Sequence, residues 1–329
     1  MNILSHTNYN FTRWRWHALG LSALVILAGL AMIISRGGLP LGIDFSGGTI
    51  VIVKFDQAVS EQQVRGAVDP IAGEEVVQQY GDADDNEWLI RLAQSQATEQ
   101  GASLEAGSQQ ILEALTKAGL PSYEILSREI VGPVIGADLQ RRGIYATLAS
   151  ILAITIYIGF RFRFSFAIGA IAATFHDIVV TLAFLVFFGY DLSLNIVAAL
   201  LTITGYSVND TIVIFDRVRE NMRSRRRDSL DHVVNVSVNQ TLSRTIITAG
   251  TTFISVLALY IFGGEVLRGF AFTMLVGIIS GTYSTVFIAS AIAIILSRHK
   301  RSATASAQSA ARPETAARPG RKSRGAKAS

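Results

Sequence analysis

Six apolar runs decide what this chain can become. Residues 17–34, 143–160, 165–189, 192–215, 246–264 and 269–296 can each cross a hydrocarbon core of roughly 30 Å as a helix rising about 1.5 Å per residue. Half of the 329 residues are hydrophobic and only 16% are charged, too apolar a balance for a soluble chain of this length. The sequence therefore predicts an α-helical integral membrane protein with six transmembrane helices. Arg13 and Arg15 precede the first run as they would precede the apolar core of a signal peptide. SRGGLP follows it where a small-x-small cleavage site is needed, so an uncleaved anchor is expected.

The charges are segregated. Residues 37–140 hold five basic and 16 acidic side chains, a net of −11, so the remainder carries +15 of the whole-chain +4. The positive charges gather at Arg13 and Arg15, at Arg161 and Arg163, in DRVRENMRSRRRD and in the tail. With both termini in the cytoplasm every one of these clusters lands there, as the positive-inside rule requires, and the acidic segment lands outside. Arg141 and Arg142 are the exceptions; Trp14 and Trp16 stand where interfacial aromatics belong. The expected division is a cytoplasmic N-terminus (1–16), a first span (17–36), an extracytoplasmic domain (37–140), a five-helix bundle (141–297) with a basic cytoplasmic loop at 216–243, and a disordered basic tail (298–329). This division is that of a multi-pass membrane protein with both termini in the cytoplasm.

Residues 37–140 contain no run of membrane length. TIVIVKF alternates with β-branched residues, VSEQQVRGAV is a serine-capped helix, and EVVQQY and EWLIRL are strands flanking the turn residues GDADDN. Residues 101–118 form a second helix with Leu104, Ile111, Leu112 and Leu115 on its apolar face, and YEILSREI is a last strand. The order β-α-β-β-α-β predicts an α+β ferredoxin-like domain, a scaffold that by itself carries no function.

The third and fourth runs are so closely joined that they predict a tight helical hairpin. DSLDHVVNVSVNQTLS, with Leu230, Val233, Val234 and Val238 on one face, predicts a helix lying on the membrane surface. Gly277, Gly281, Thr285 and Ala289, four residues apart, suit close helix packing in the last run. The Ala/Arg-rich tail is either a solvated appendage or a segment drawn to anionic lipid or RNA.

Inside these runs stand residues that hydrocarbon tolerates badly. A central aspartate costs about 2.5–3.5 kcal/mol on insertion scales, so Asp210 needs protein or water beside it. Arg244, near the start of the fifth run, is at comparable depth and of opposite sign. At about 100° per residue, Arg244, Thr248, Thr251, Thr252 and Ser255 share one stripe with Thr241 and Thr245. Tyr206, Ser207 and Asp210 share a face of the fourth run, Asn209 turns aside, and Asp177 lies near the middle of the third beside His176, Thr174 and Thr181. These residues predict a wet interior seam able to move protons or small cations, in which one cation facing two carboxylates invites protonation. A static Asp210–Arg244 pair, with hydroxyls bonded to helix carbonyls, satisfies the same residues.

Enzymatic readings fare worse. Ser207 and His176 faintly suggest a nucleophile and base, yet the glycine expected after such a serine is missing, as are HExxH and GxxxxGK[ST]. The chain has no cysteine, which removes disulfides, thiolate nucleophiles and iron–sulfur clusters together. His6, His17, His176, His232 and His299 are scattered, so neither a metal nor any other cofactor is expected.

GIDFSGGT, VGPVIGADL, TFHD, GYSVNDTIVIFDRVREN, NQTLSRT and TTF, in this order between about Leu41 and Ser297, resemble the SecF branch of the SecD/SecF protein-export family, itself similar to the resistance-nodulation-division transporters. The resemblance implies that Asp210 and Arg244 stand at the family's proton-pathway positions, with Asp177 in the TFHD motif. It implies a non-enzymatic subunit of the bacterial inner membrane that works with SecD beside the SecYEG channel, with YajC as a further partner. Such a subunit would use the proton motive force to promote late translocation and release of preproteins, without specific binding of nucleic acid. Gly47 and Gly48 would then be a hinge between span and domain, or simply a tight turn. Six spans are half of a twelve-span transporter, so a homo-oligomeric exporter of small molecules or lipids is the alternative.

Overall fold

In lipid every backbone N–H and C=O must be satisfied within the protein, so apolar runs of this length form helices. The structure is a computed structural model that describes residues 7–71, 75–81, 85–92 and 105–298. A 3-10 turn at Phe11–Trp14, capped by Asn10, leads into α1 (Arg15–Ser35). After a single helical turn, α2 (Ile43–Ser46), the chain forms β1 (Gly48–Phe55), α3 (Glu61–Val68), β2 (Glu75–Tyr80), β3 (Glu87–Leu92), α4 (Ala106–Lys117) and β4 (Tyr123–Val131). It then returns to the bundle as α5 (Pro133–Arg161), α6 (Phe164–Phe188), α7 (Leu194–Ser224), α8 (Leu230–Phe262) and α9 (Gly264–Ser284). Six of these helices are long and apolar enough to span a membrane.

The four strands form one antiparallel sheet in the order β2-β3-β1-β4, the ferredoxin-like arrangement that the element order predicts. Both helices pack on one side of it, where Val51, Val53, Phe55, Val64, Ile90, Ile111 and Leu115 are buried together. Ser60 starts α3 with a complete capping box: its hydroxyl accepts from the Gln63 N–H, and the Gln63 side chain accepts from the Ser60 N–H. Of the predicted second helix, residues 101–104 lie outside the described residues, as do residues 299–329 of the tail.

The α6–α7 hairpin closes as expected. Gly189, in left-handed conformation, ends α6 with the Gly189 N–H on the Val186 carbonyl and the Tyr190 N–H on that of Leu185; Ser193 caps α7 by accepting from the Ile196 N–H. The surface helix requires correction. Residues from Leu230 onward are the first turns of α8, which runs unbroken to Phe262. Val233, Val234 and Val238 are buried against the bundle core instead of lying on lipid headgroups. No glycine or proline interrupts residues 230–243, so nothing ends the helix before the apolar run begins.

Small residues set the closest helix approaches. A Cβ on Gly277 would stand 2.2 Å from Ile203 of α7, and one on Gly169 would stand 2.5 Å from the Ala289 carbonyl oxygen. Beside that approach α9 widens into a π turn at Thr285–Ala289, and the Ser290 hydroxyl takes up the Thr285 carbonyl. Gly169→Val is expected to force this backbone contact apart at a cost of about 1–3 kcal/mol, read as a lowered unfolding temperature of the purified protein. An unchanged temperature would mean that the approach can relax freely.

Candidate functional site

The polar residues of the bundle fall into two differently built places. The first is a knot around Asp177. Its Oδ2 accepts from Ser207 Oγ of α7 at 2.5 Å and Ser284 Oγ of α9 at 2.7 Å; its Oδ1 accepts from Ser280 Oγ of α9 at 2.7 Å and faces His176 Nδ1 at 3.1 Å. The carboxylate fixes the His176 tautomer by taking the Nδ1–H, which leaves Nε2 facing Ser22 Oγ of α1 at 3.0 Å. Ser22 also lies 3.2 Å from the Tyr283 hydroxyl, which donates to the Ala18 carbonyl. One buried carboxylate thereby ties α1, α6, α7 and α9 together, with each of its oxygens doubly occupied.

The second place is Asp210, buried where α7 meets α8. Its Oδ1 accepts from Thr245 Oγ1 at 3.1 Å, while its Oδ2 is buried with no hydrogen-bond partner among the described residues. Arg244, the predicted partner, makes no ion pair with it. Arg244 faces outward on α8 and acts on Asp210 only through space. Neighbouring residues on a helix point about 100° apart, so the residue that turns inward to meet Asp210 is Thr245, not Arg244.

The predicted seam is likewise divided. Ser207 belongs to the Asp177 knot, and Tyr206 is half-buried against the cluster around Ala199 and Ile203. Thr248, Thr251 and Ser255 are exposed along α8 with Thr252 half-exposed beside them, and their hydroxyls bond to carbonyls of their own helix. Thr241 and Thr245 face inward. The stripe therefore lies on an outer face, because one side of α8 packs on α7 and α9 while most of its membrane-crossing portion is uncovered. Ser207 is occupied by Asp177 and His176 by Asp177 and Ser22, so the serine and histidine form no nucleophile–base pair. Among the described residues no His/Asp/Glu cluster of metal-binding size occurs.

Sequence reasoning missed Ser22, Ser280, Ser284 and Tyr283. The legible signal was Ser280 and Ser284, four residues apart in an apolar run and so on one helix face.

A third feature joins the sheet domain to the bundle. Gly47 and Gly48 have φ of +72° and +133°, values that glycine adopts readily. Just before them, the Gly42 N–H donates to the Leu192 carbonyl and the Leu192 N–H to the Pro40 carbonyl, a bridge onto the α6–α7 turn. Asp44 accepts from the Leu194 N–H, and Arg91 of β3 reaches Asp191 at 2.5 Å. Burial pushes the Asp191 carboxyl above the usual carboxylate range against the opposing pull of Arg91. The docked carboxyl thus holds its proton more tightly than a solvated one. Its contribution to the stability of the folded protein is full below the ordinary aspartate value and is lost as pH rises through the raised one. Unfolding temperature is expected to gain from acidification more in the parent protein than in Asp191→Asn, and identical profiles would remove Asp191 from the linkage.

Residues 110–299 match the family described as "Protein export membrane protein SecD/SecF, C-terminal", and residues 33–59 match the "SecD/SecF GG Motif". The protein translocase subunit SecF of Desulfurispirillum indicum is 42% identical over 288 residues, covering 86% of this chain and 90% of the relative. That of Escherichia coli O157:H7 is 39% identical over 289 residues, 88% of each chain. A crystal structure of SecDF from Thermus, described as a translocon-associated membrane protein, superposes with a TM-score of 0.79 at 33% identity. It covers 90% of this chain, which spans only 39% of that longer one. A SecDF structure in a super-membrane-facing form gives 0.68 at 32% identity, over 92% of this chain and 41% of the other. The order of motifs, the sheet topology and the helix bundle thus converge with relatives alike along most of their length, and the chain belongs to the SecF family of protein translocase subunits.

Proposed function

We propose that this chain is the proton-coupled half of a SecD–SecF assembly that uses the proton motive force to promote late translocation and release of preproteins beside SecYEG, with YajC as a further partner. The observation that carries the coupling is the half-satisfied carboxylate of Asp210, with one oxygen on Thr245 and the other buried without a donor among the described residues. An oxygen buried without a donor has room to take up a proton, whereas both oxygens of Asp177 already accept from serine hydroxyls. Moving one charge through a membrane potential is worth about 2.3 kcal/mol per 100 mV, enough to bias a two-state motion. The bridge between residues 40–44 and the α6–α7 turn offers a route from the helices carrying both aspartates to the sheet domain.

The orientation proposed is that of a bacterial inner membrane protein with both termini in the cytoplasm and the acidic sheet domain (37–140) outside. The exposed stripe of Arg244, Thr248, Thr251 and Ser255 favours a partner, since these groups lie where lipid would otherwise cover them. A second copy of this chain could cover the stripe as SecD would, which keeps a homo-oligomeric exporter as the second reading. Affinity purification of the native complex separates the two. A co-purifying SecD-like chain is expected, and a symmetric homodimer alone would overturn the assignment.

A further inference from the structure

Where α5, α6 and α7 end on the side away from the sheet domain, they enclose a cavity of about 500 Å³. Phe162, Phe166, Phe215 and Met222 line it with apolar surface. Phe162 and Phe166 each meet Phe215 edge to face, with centroids 5.9 and 5.1 Å away, so this lining is a fixed extension of the core.

Four arginines complete the wall, and they are not alike. Arg161 is committed to both oxygens of Asp216, at 2.6 and 2.7 Å. Arg163, Arg219 and Arg223 are exposed, and their guanidiniums meet no acceptor among the described residues. Of the other arginines at this end, Arg15 and Arg298 pair with Asp231, Arg217 with Glu220, Arg225 with Asp228, and Arg226 donates to the Arg223 carbonyl; Arg13 and Arg227 are exposed without a partner among the described residues, but neither lines the cavity. The first-turn N–H groups of α6, a helix whose N-cap makes no side-chain bond, add to the positive field.

A general bias of positive charge toward one membrane face places arginines at this end without gathering them. It requires neither three unpaired guanidiniums around one cavity nor a packed aromatic lining between them. The cavity also lies where Arg161 closes one span and Arg163 opens the next, the level at which lipid phosphates meet hydrocarbon. We propose that this cavity binds the headgroup of an anionic phospholipid, its phosphate held by Arg163, Arg219 and Arg223 and its glycerol and upper acyl carbons against Phe162, Phe166 and Met222. A lipid with two phosphates, such as cardiolipin, matches the unanswered positive charge better than one with a single phosphate.

The test uses the full-length protein in detergent, titrated with cardiolipin, phosphatidylglycerol, phosphatidylcholine and inorganic phosphate and read by native mass spectrometry. Affinity is expected to fall in that order of lipids, with inorganic phosphate failing to compete. R163Q/R219Q/R223Q is expected to bind cardiolipin roughly a hundredfold more weakly, at about fivefold per arginine. R225Q/R226Q/R227Q, on the neighbouring loop, is expected to bind as the parent does. The single variants R219Q and R223Q, each expected to lose about fivefold, carry the test if the triple variant fails to fold. Undiminished binding by the cavity variants, an equal loss in the loop variant, or full competition by inorganic phosphate would each overturn the proposal.

Discussion

Asp210→Asn is expected to leave a folded, assembled subunit whose export no longer responds to a proton gradient. The substitution keeps the size of the side chain and can keep an oxygen on the Thr245 hydroxyl, so local packing is preserved. What it removes is the capacity to take and release a proton at an oxygen that has no partner among the described residues. Export measured with and without a gradient should therefore converge on the gradient-free level, while unfolding temperature and recovery of the complex stay at parent values. Arg244→Ala, which removes the charge acting through space, is expected to reduce the gradient-dependent component without abolishing binding of the partner. Full gradient dependence in the Asp210 variant would leave that residue a structural one.

The opposite signature is expected at Asp177. Asp177→Ala would strip acceptors from Ser207, Ser280, Ser284 and His176 at once, leaving them buried. At about 1 kcal/mol for each hydrogen bond in a membrane interior, the loss is roughly 4 kcal/mol, a large part of the stability of most folded proteins. The variant is expected to lower unfolding temperature strongly and to reduce the yield of intact protein. Asp177→Asn, which can retain part of the network, is expected to fold and to keep gradient-dependent export. A well-folded Asp177→Asn that exports without gradient dependence would return Asp177 to the proton pathway. The two aspartates are thus separated by readout: one by response to the gradient, the other by survival of the fold.

Sequence period was a good guide wherever a single helix or strand decided the outcome. The β-α-β-β-α-β order, the Ser60 cap and the hairpin between α6 and α7 all follow from local chemistry, and each is found. The reading failed where the question was which helix face meets which neighbour. Arg244 and Thr245 are adjacent in sequence, and depth and charge favoured the arginine; only the packing of α7 against α8 determines that the threonine is the one turned inward. The serines of α9 were obscured for a related reason. Gly277 and Gly281 advertise a close approach, but that the neighbouring row, Ser280 and Ser284, meets Asp177 depends on a three-helix arrangement invisible in any one segment. The surface helix was inferred from amphipathicity, which is equally the mark of a helix end packed against a bundle.

The outward stripe on α8 has a consequence for the supply of this subunit in the cell. A copy inserted with nothing on that face presents a guanidinium and a row of hydroxyls to lipid, where an ionised side chain is costly. Excess copies are expected to turn over faster than complexed ones, so that synthesis need not be matched in advance. The same outward stripe would then also set the stoichiometry, by making solitude short-lived.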